Sequence, residues 1–196
     1  LTLALLAVNS LSLRWRAPPG KELEAMPNLL EKAPDFKASA VVGRGELAEV
    51  SLSEQRRKWV LLFFYPLDFT SICPTEILQL SRRIEEFNDL DTQIIGISCD
   101  SQFSHKAWVE HSLGEVAFPL VADFTKEIAR SYGALLSDGF PSRATFIIDP
   151  DGVIQYASFH NPSVGRSVNE LLRVLEAVQT GRRCPVDWKR GDRTLE

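Results

Sequence analysis

Val60-Leu61-Leu62-Phe63-Phe64-Tyr65 is an apolar, strand-like run that gives way at Pro66 to a loop and then to a helical pattern. In that pattern Ile77, Leu80, Ile84 and Phe87 recur at three- and four-residue spacing, as one buried helix face requires. A strand feeding a helix in this way leaves few folds open to the chain, and it fixes the place of Cys73, where the loop becomes the helix's first turn. Pro74 suits the first helical position because its missing N–H would have lacked a partner there anyway. The unsatisfied N–H groups and the positive end of the helix dipole favour a thiolate over a thiol. A cysteine at a helix start often does no more than pack, so its neighbours have to decide. Thr70 precedes Cys73 by one helical turn's spacing, close enough for its hydroxyl to reach the sulfur and a bound substrate oxygen, and Pro66 closes the strand and shields the loop from water.

From Ala33 onward strand-like and helix-like segments alternate, the pattern of an α/β domain. Gln93 to Cys99 reads as a buried parallel strand, followed by a helix near His105–Glu110, an apolar segment at Phe118–Asp123 and a short helix around Lys126–Tyr132. Arg143–Asp149 and Val153–Phe159 read as a hairpin turning at Pro150-Asp151-Gly152. Val168–Thr180 is amphipathic, with Leu171, Leu172, Leu175 and Val178 on one face, and Gly181 marks its end. The Trp and Phe residues read as core rather than as a cofactor box.

The chain's 196 residues suit a single domain with a sizeable core. A net charge of −4, with basic residues in short scattered pairs and triplets, argues against a nucleic-acid surface. Three cysteines without a C-x-x-C pair exclude a disulfide scaffold, and His105, His111 and His160 form no ligand-spaced set with them, so neither a metal nor a cofactor is expected. The three histidines are read as surface or loop residues, and Cys99, at the end of an apolar strand, as a packing thiol. Leu1–Val8 is apolar but too short to cross a bilayer, so no membrane is expected. Arg14, Arg16 and Lys21 arrive before the first acid, so this stretch is either part of a targeting peptide or an upstream extension of a chain starting at Met26. The expected layout is an extension over 1–28, a domain over 29–180 and a C-terminal segment over 181–196. The expected location is the cytoplasm, or an organelle matrix if the extension is a targeting peptide.

Pro66-x-x-x-Thr70-x-x-Cys73, between Phe-Tyr and Pro-Thr-Glu, resembles the active-site signature of the peroxiredoxins, thiol peroxidases on a thioredoxin-like fold. Ala33-Pro34-Asp35-Phe36 resembles the family's domain opening, and Arg143–Asp149 the strand that bears its active-site arginine. Val164-Gly165-Arg166-Ser167 resembles the segment before its last main helix, and Cys184-Pro185-Val186-Asp187-Trp188 the resolving-cysteine segment of the typical two-cysteine subgroup. The resemblance runs from about Ala33 to Asp192. It implies a central mixed β-sheet flanked by helices, with Arg143 beside Cys73 and Glu76 and Arg166 paired so as to hold Arg143.

It also implies a cycle in which Cys73 reduces hydrogen peroxide or an organic hydroperoxide, becomes a sulfenic acid and forms a disulfide with Cys184 of a second subunit. The implied partners are a second copy in a homodimer, with rings of dimers known in the family, and thioredoxin or a dedicated disulfide reductase as electron donor. Thr180–Pro185 reads as a flexible segment in which local unfolding is cheap. A thioredoxin-type oxidoreductase is disfavoured by the missing C-x-x-C, and a non-enzymatic holdase or structural ring is the remaining alternative. Peroxide-sensitive relatives carry a Gly-Gly-Leu-Gly insert and a helix ending in Tyr-Phe. Here His111–Phe118 lacks the double glycine and the sequence given runs out at Asp192–Glu196, so fast disulfide formation and resistance to sulfinic acid are expected.

Overall fold

The structure, a computed structural model, describes residues 27–195. The N-terminal run and its two alternative origins lie outside the described residues. Seven strands form one mixed sheet: β1 (Lys37–Gly43), β2 (Glu46–Ser51), β3 (Trp59–Phe64), β4 (Thr92–Ser98), β5 (Val116–Ala122), β6 (Arg143–Ile148) and β7 (Ile154–His160), in the order β2-β1-β5-β4-β3-β6-β7. The β3–β4 and β4–β5 pairs are parallel, while β1–β2, β1–β5, β3–β6 and β6–β7 are antiparallel. The helices are α1 (Cys73–Arg82), α2 (Ile84–Asn88), α3 (Gln102–Trp108), α4 (Glu127–Ser131) and α5 (Val168–Gln179), and α3 runs on into one π-helical turn, Val109–Leu113.

The alternation of side chains along the central strands divides the core in two. On one face Leu61, Phe63, Tyr65, Ile94 and Ile147 pack with Cys73, Ile77 and Leu80 of α1, Phe87 of α2, Trp108 of α3 and Leu171, Leu172 and Leu175 of α5. On the other face Val60, Leu62, Phe64, Ile95, Ile97, Phe146 and Ile148 pack with Phe36, Ile128, Ala129 and Tyr132. Strands covered on both faces read as continuous apolar runs, which is why β3 and β4 were plain in the sequence.

Three features depart from the expectations. The hairpin of β1 and β2, turning through Gly43-Arg44-Gly45, was not anticipated, and it supplies one edge of the sheet. The single helix expected to run through Phe87 is interrupted at Arg83, whose backbone leaves the helical region (φ −107°, ψ 17°) while its guanidinium binds Glu86 and Asn169. The break re-aims α2 so that Phe87 is buried, while Ile84 stays half-buried. His105, expected on the surface, is fully buried. It lies one turn before Trp108, on the buried face of α3, and polar partners wait for it there.

Gly96 marks the tightest layer of the sheet. A Cβ added there would lie 2.8 Å from the Phe63 ring and 3.0 Å from Leu120, inside van der Waals contact on both sides. Gly96→Ala is therefore expected to destabilise the domain by about 1–3 kcal/mol, as overpacking does, measured as a lower denaturation midpoint at unchanged slope.

Candidate active site

The pairing of β3 with β6 creates the site. β6 runs antiparallel to β3 with Thr145 opposite Phe63, so Arg143, two residues earlier, emerges where β3 ends and the loop to Cys73 begins. The chain leaves β3 for β4 on one side and returns to its other side only as β6. Crevices at such reversals, beyond the carboxyl ends of strands, are where open α/β sheets bind ligands.

Cys73 is the first residue of α1 and fully buried, with Pro74 in the first turn behind it. Nη1 of Arg143 lies 3.5 Å from its Sγ. The same Nη1 donates to Glu76 Oε2 at 2.6 Å, and Nε donates to the carbonyl of Pro162 at 2.8 Å. Glu76, one turn along α1 from Cys73, also accepts from Arg166: from its backbone N–H at 2.8 Å, from Nε at 3.0 Å and from Nη2 at 2.8 Å. The remaining nitrogen of Arg166, Nη1, donates to the carbonyls of Phe64 and Ala144, and the guanidinium carbon Cζ lies 4.8 Å from the Phe63 ring centre. Arg143, Glu76 and Arg166 keep only 3%, 5% and 2% of their side-chain surface exposed.

Buried charges persist only when paired and hydrogen-bonded. Burial pushes the Glu76 carboxyl up, but the hydrogen bonds and charge of Arg166, with the charge of Arg143, outweigh that and hold it below its usual range. Burial draws Arg166 down against the opposing pull of Glu76. Two guanidiniums share one carboxylate, so one positive charge among these side chains is left for Cys73 or for an incoming anion. The cluster can therefore hold a sulfur thiolate and then stabilise negative charge forming on an atom bound beside it.

Of the residues singled out in the sequence, Cys73, Glu76, Arg143 and Arg166 come together. Pro66 is buried at the end of β3. The Thr70 hydroxyl is exposed and donates to the carbonyl of Leu67 at 2.9 Å, which holds the loop's own turn. Cys184 stands apart from them: its thiol contacts the Thr180 hydroxyl at 3.5 Å and the Ala177 carbonyl at 3.7 Å, at the end of α5. Its segment, expected to be flexible, has anchors. Trp188 is buried and donates to Asp192, and Leu195 pairs with Arg183. Cys99 is buried away from this cluster, and burial, together with the charge of Asp123, pushes its thiol up to about 12. The sequence reading missed the polar group around Asp68 and His105, whose only local signal was the position of His105 on the Trp108 face of α3.

The fold and the site describe a thioredoxin-like domain built around one buried cysteine at a helix start. The model of the AhpC/TSA family matches residues 29–157. A putative peroxiredoxin in the rubredoxin operon of Clostridium pasteurianum is 46% identical over 170 residues, covering 83% of this chain and 96% of that protein. The chloroplastic 2-cysteine peroxiredoxin of Chattonella marina var. antiqua is 47% identical over 177 residues, covering 85% and 90%. Among solved structures, the reduced 2-Cys peroxiredoxin of Plasmodium vivax superimposes with a TM-score of 0.82 at 36% identity, covering 86% of this chain and 92% of that one. AhpC of Mycobacterium tuberculosis gives 0.77 at 36% identity, covering 84% and 100%. The chain belongs to the AhpC/TSA family of peroxiredoxins, and it is a peroxidase among the oxidoreductases.

Glu76 titrates below its ordinary value of 4.5, so its pairing stabilises the fold fully above that value, and the contribution is lost as pH falls through the lower folded value. Glu76→Gln should cost about 3 kcal/mol at neutral pH, the usual loss when one partner of a buried pair is removed. The gap to the unsubstituted chain should close on acidification, measured by denaturant titration at a series of pH values.

Proposed function

We propose that Cys73 is the peroxide-reducing nucleophile and Cys184 of a second copy its resolving thiol, in a cycle closed by a dithiol reductant. The Cys73 thiolate attacks one peroxide oxygen. The O–O bond breaks, its electron pair leaves with the distal oxygen, and protonation releases water or an alcohol. Arg143 donates to the charge that builds on those oxygens, and a donor of this kind in a water-poor site contributes a few kcal/mol to the transition state. The observation that carries this reading is the 3.5 Å contact of Arg143 with Sγ, braced by Glu76. Pro66 keeps water from the loop, and Thr70 positions the peroxide once its hydroxyl turns from Leu67 toward the sulfur. Glu76 and Arg166 hold Arg143.

The product is a sulfenic acid on Cys73. Its condensation with the Cys184 thiol forms an S–S bond and releases water. Within one subunit the two sulfurs occupy separate places, which favours a partner from a second copy. The β7 strand offers a means of pairing, since it forms an edge of the sheet with half-exposed residues along its length. A symmetric dimer then carries two reciprocal disulfides. Thiol–disulfide exchange with thioredoxin or a dedicated disulfide reductase restores both thiols, taking two electrons for each disulfide.

Peroxide is expected to turn the chain into a disulfide-linked dimer on non-reducing gels. Cys73→Ser should abolish peroxide consumption. Cys184→Ser should react once and stop at sulfenic acid or a higher oxide. Cys99 should stay unmodified, and Cys99→Ala should turn over like the unsubstituted chain. A Cys73–Cys99 bridge found by mass spectrometry would reject the pairing.

A further inference from the structure

Beside the cysteine cluster lies a second buried polar group that the cycle above does not use. Asp68, in the loop between β3 and Cys73, keeps 1% of its side-chain surface, and His105 of α3 keeps none. His105 Nδ1 lies 2.8 Å from Asp68 Oδ2, and its Nε2 lies 3.2 Å from the carbonyl of Val121 in β5. Both ring nitrogens thus face oxygen atoms, one of the Asp68 carboxylate and one of the β5 backbone. Asp68 accepts two further donors, Ser104 Oγ at 2.7 Å and the Tyr65 hydroxyl at 3.1 Å. Its own backbone N–H donates to Asp100 at 2.9 Å. The Asp68 carboxylate thus ties the end of β3 to the first turn of α3, while its backbone N–H reaches Asp100 just after β4 and His105 carries the link on to β5.

What this ties down is the approach to Cys73. Phe69, next to Asp68, has φ +53°, a left-handed backbone that a bulky residue holds only when its surroundings impose it. Its ring packs 6.0 Å from that of Trp108, also on α3. Thr70 follows directly. A polar anchor and an apolar one thus fasten consecutive residues of the loop to the same helix, just before Thr70 and the first turn of α1.

We propose that Asp68 and His105 are positioning residues for the peroxide site: with Ser104 and Tyr65 they hold loop 66–72 folded on α3 and keep Cys73 at Arg143 until disulfide formation requires α1 to open. The inference rests on the reading of Cys73 as the nucleophile. Loosening the anchor should slow peroxide attack, because the reacting groups are no longer held in place. It should also favour the disulfide over sulfinic acid, because the opening step becomes easier.

Both quantities can be measured in the full chain: the second-order rate of Cys73 oxidation by hydrogen peroxide, and the fraction of Cys73 ending as sulfinic acid under excess peroxide. His105→Leu should lower the rate about tenfold or more and reduce the sulfinic fraction. His105→Asn, which can still donate to Asp68, should recover most of both. Ser104→Ala, which removes one donor while Asp68 keeps its contacts with His105 and Tyr65, should move both readouts the same way by a smaller factor, and it decides the matter if His105→Leu does not fold. Ile128→Ala, in the other core, serves as the control for lost stability and should leave both readouts unchanged. Unsubstituted rates and sulfinic fractions in Ser104→Ala and in folded His105→Leu would overturn the proposal, as would an equal shift in Ile128→Ala. A failure of Cys73 to oxidise in the unsubstituted chain would instead reject the underlying reading, and it is seen separately because it needs no variant.

Discussion

One carboxylate organises the reactive end of this molecule. Glu76 takes hydrogen bonds from two guanidiniums inside a nearly dry pocket, and without it Arg143 and Arg166 would be like charges forced together. With it, Arg143 is fixed from three sides, by Glu76, by the Pro162 carbonyl and by the thiol of Cys73. Glu76 and Cys73 share one turn of α1, so the helix that presents the sulfur also carries the group that aims the arginine at it. If that first turn unwinds, sulfur and clamp separate together.

The sheet makes this possible by bringing distant segments to one point. Arg143 is 70 positions from Cys73 in sequence, and Arg166 is 90 from Glu76. Antiparallel pairing of β6 with β3 sets the first distance, and the turn after β7, leading into α5, sets the second. The same core face that buries Cys73 also buries Leu171, Leu172 and Leu175 of α5, so apolar packing holds the two halves of the charge cluster in register. Cys184 lies at the far end of α5, where Trp188 fastens its segment. In the proposed disulfide with Cys73, the cost of releasing Trp188 would enter the rate of that step.

The local part of this design was legible in the sequence. The change from the run at Val60–Tyr65 to helical spacing placed Cys73 at a helix start, because both periodicities are properties of neighbouring residues. Arg143, Glu76 and Arg166 were reached only through resemblance, since no local pattern reports a contact between strands. The β1–β2 hairpin escaped because Lys37–Ser51 mixes short apolar pairs with charged residues at an edge, where one face needs no apolar cover. The break at Arg83 escaped because Ile84 and Phe87 keep the helical spacing across it. His105 was misplaced because its partners, Asp68 and the Val121 carbonyl, lie 37 and 16 positions away, and a lone histidine among polar neighbours reads as surface.

The central claim is that Glu76 acts on Cys73 through Arg143. A double-mutant cycle with Arg143→Ala and Glu76→Gln, read as the second-order rate of Cys73 oxidation by hydrogen peroxide, tests it most directly. If the account holds, each substitution slows oxidation, and the double variant is no slower than Arg143→Ala alone, to within about twofold, the usual error of such a cycle. Losses that multiply would show that Glu76 and Arg143 act independently and would contradict the account.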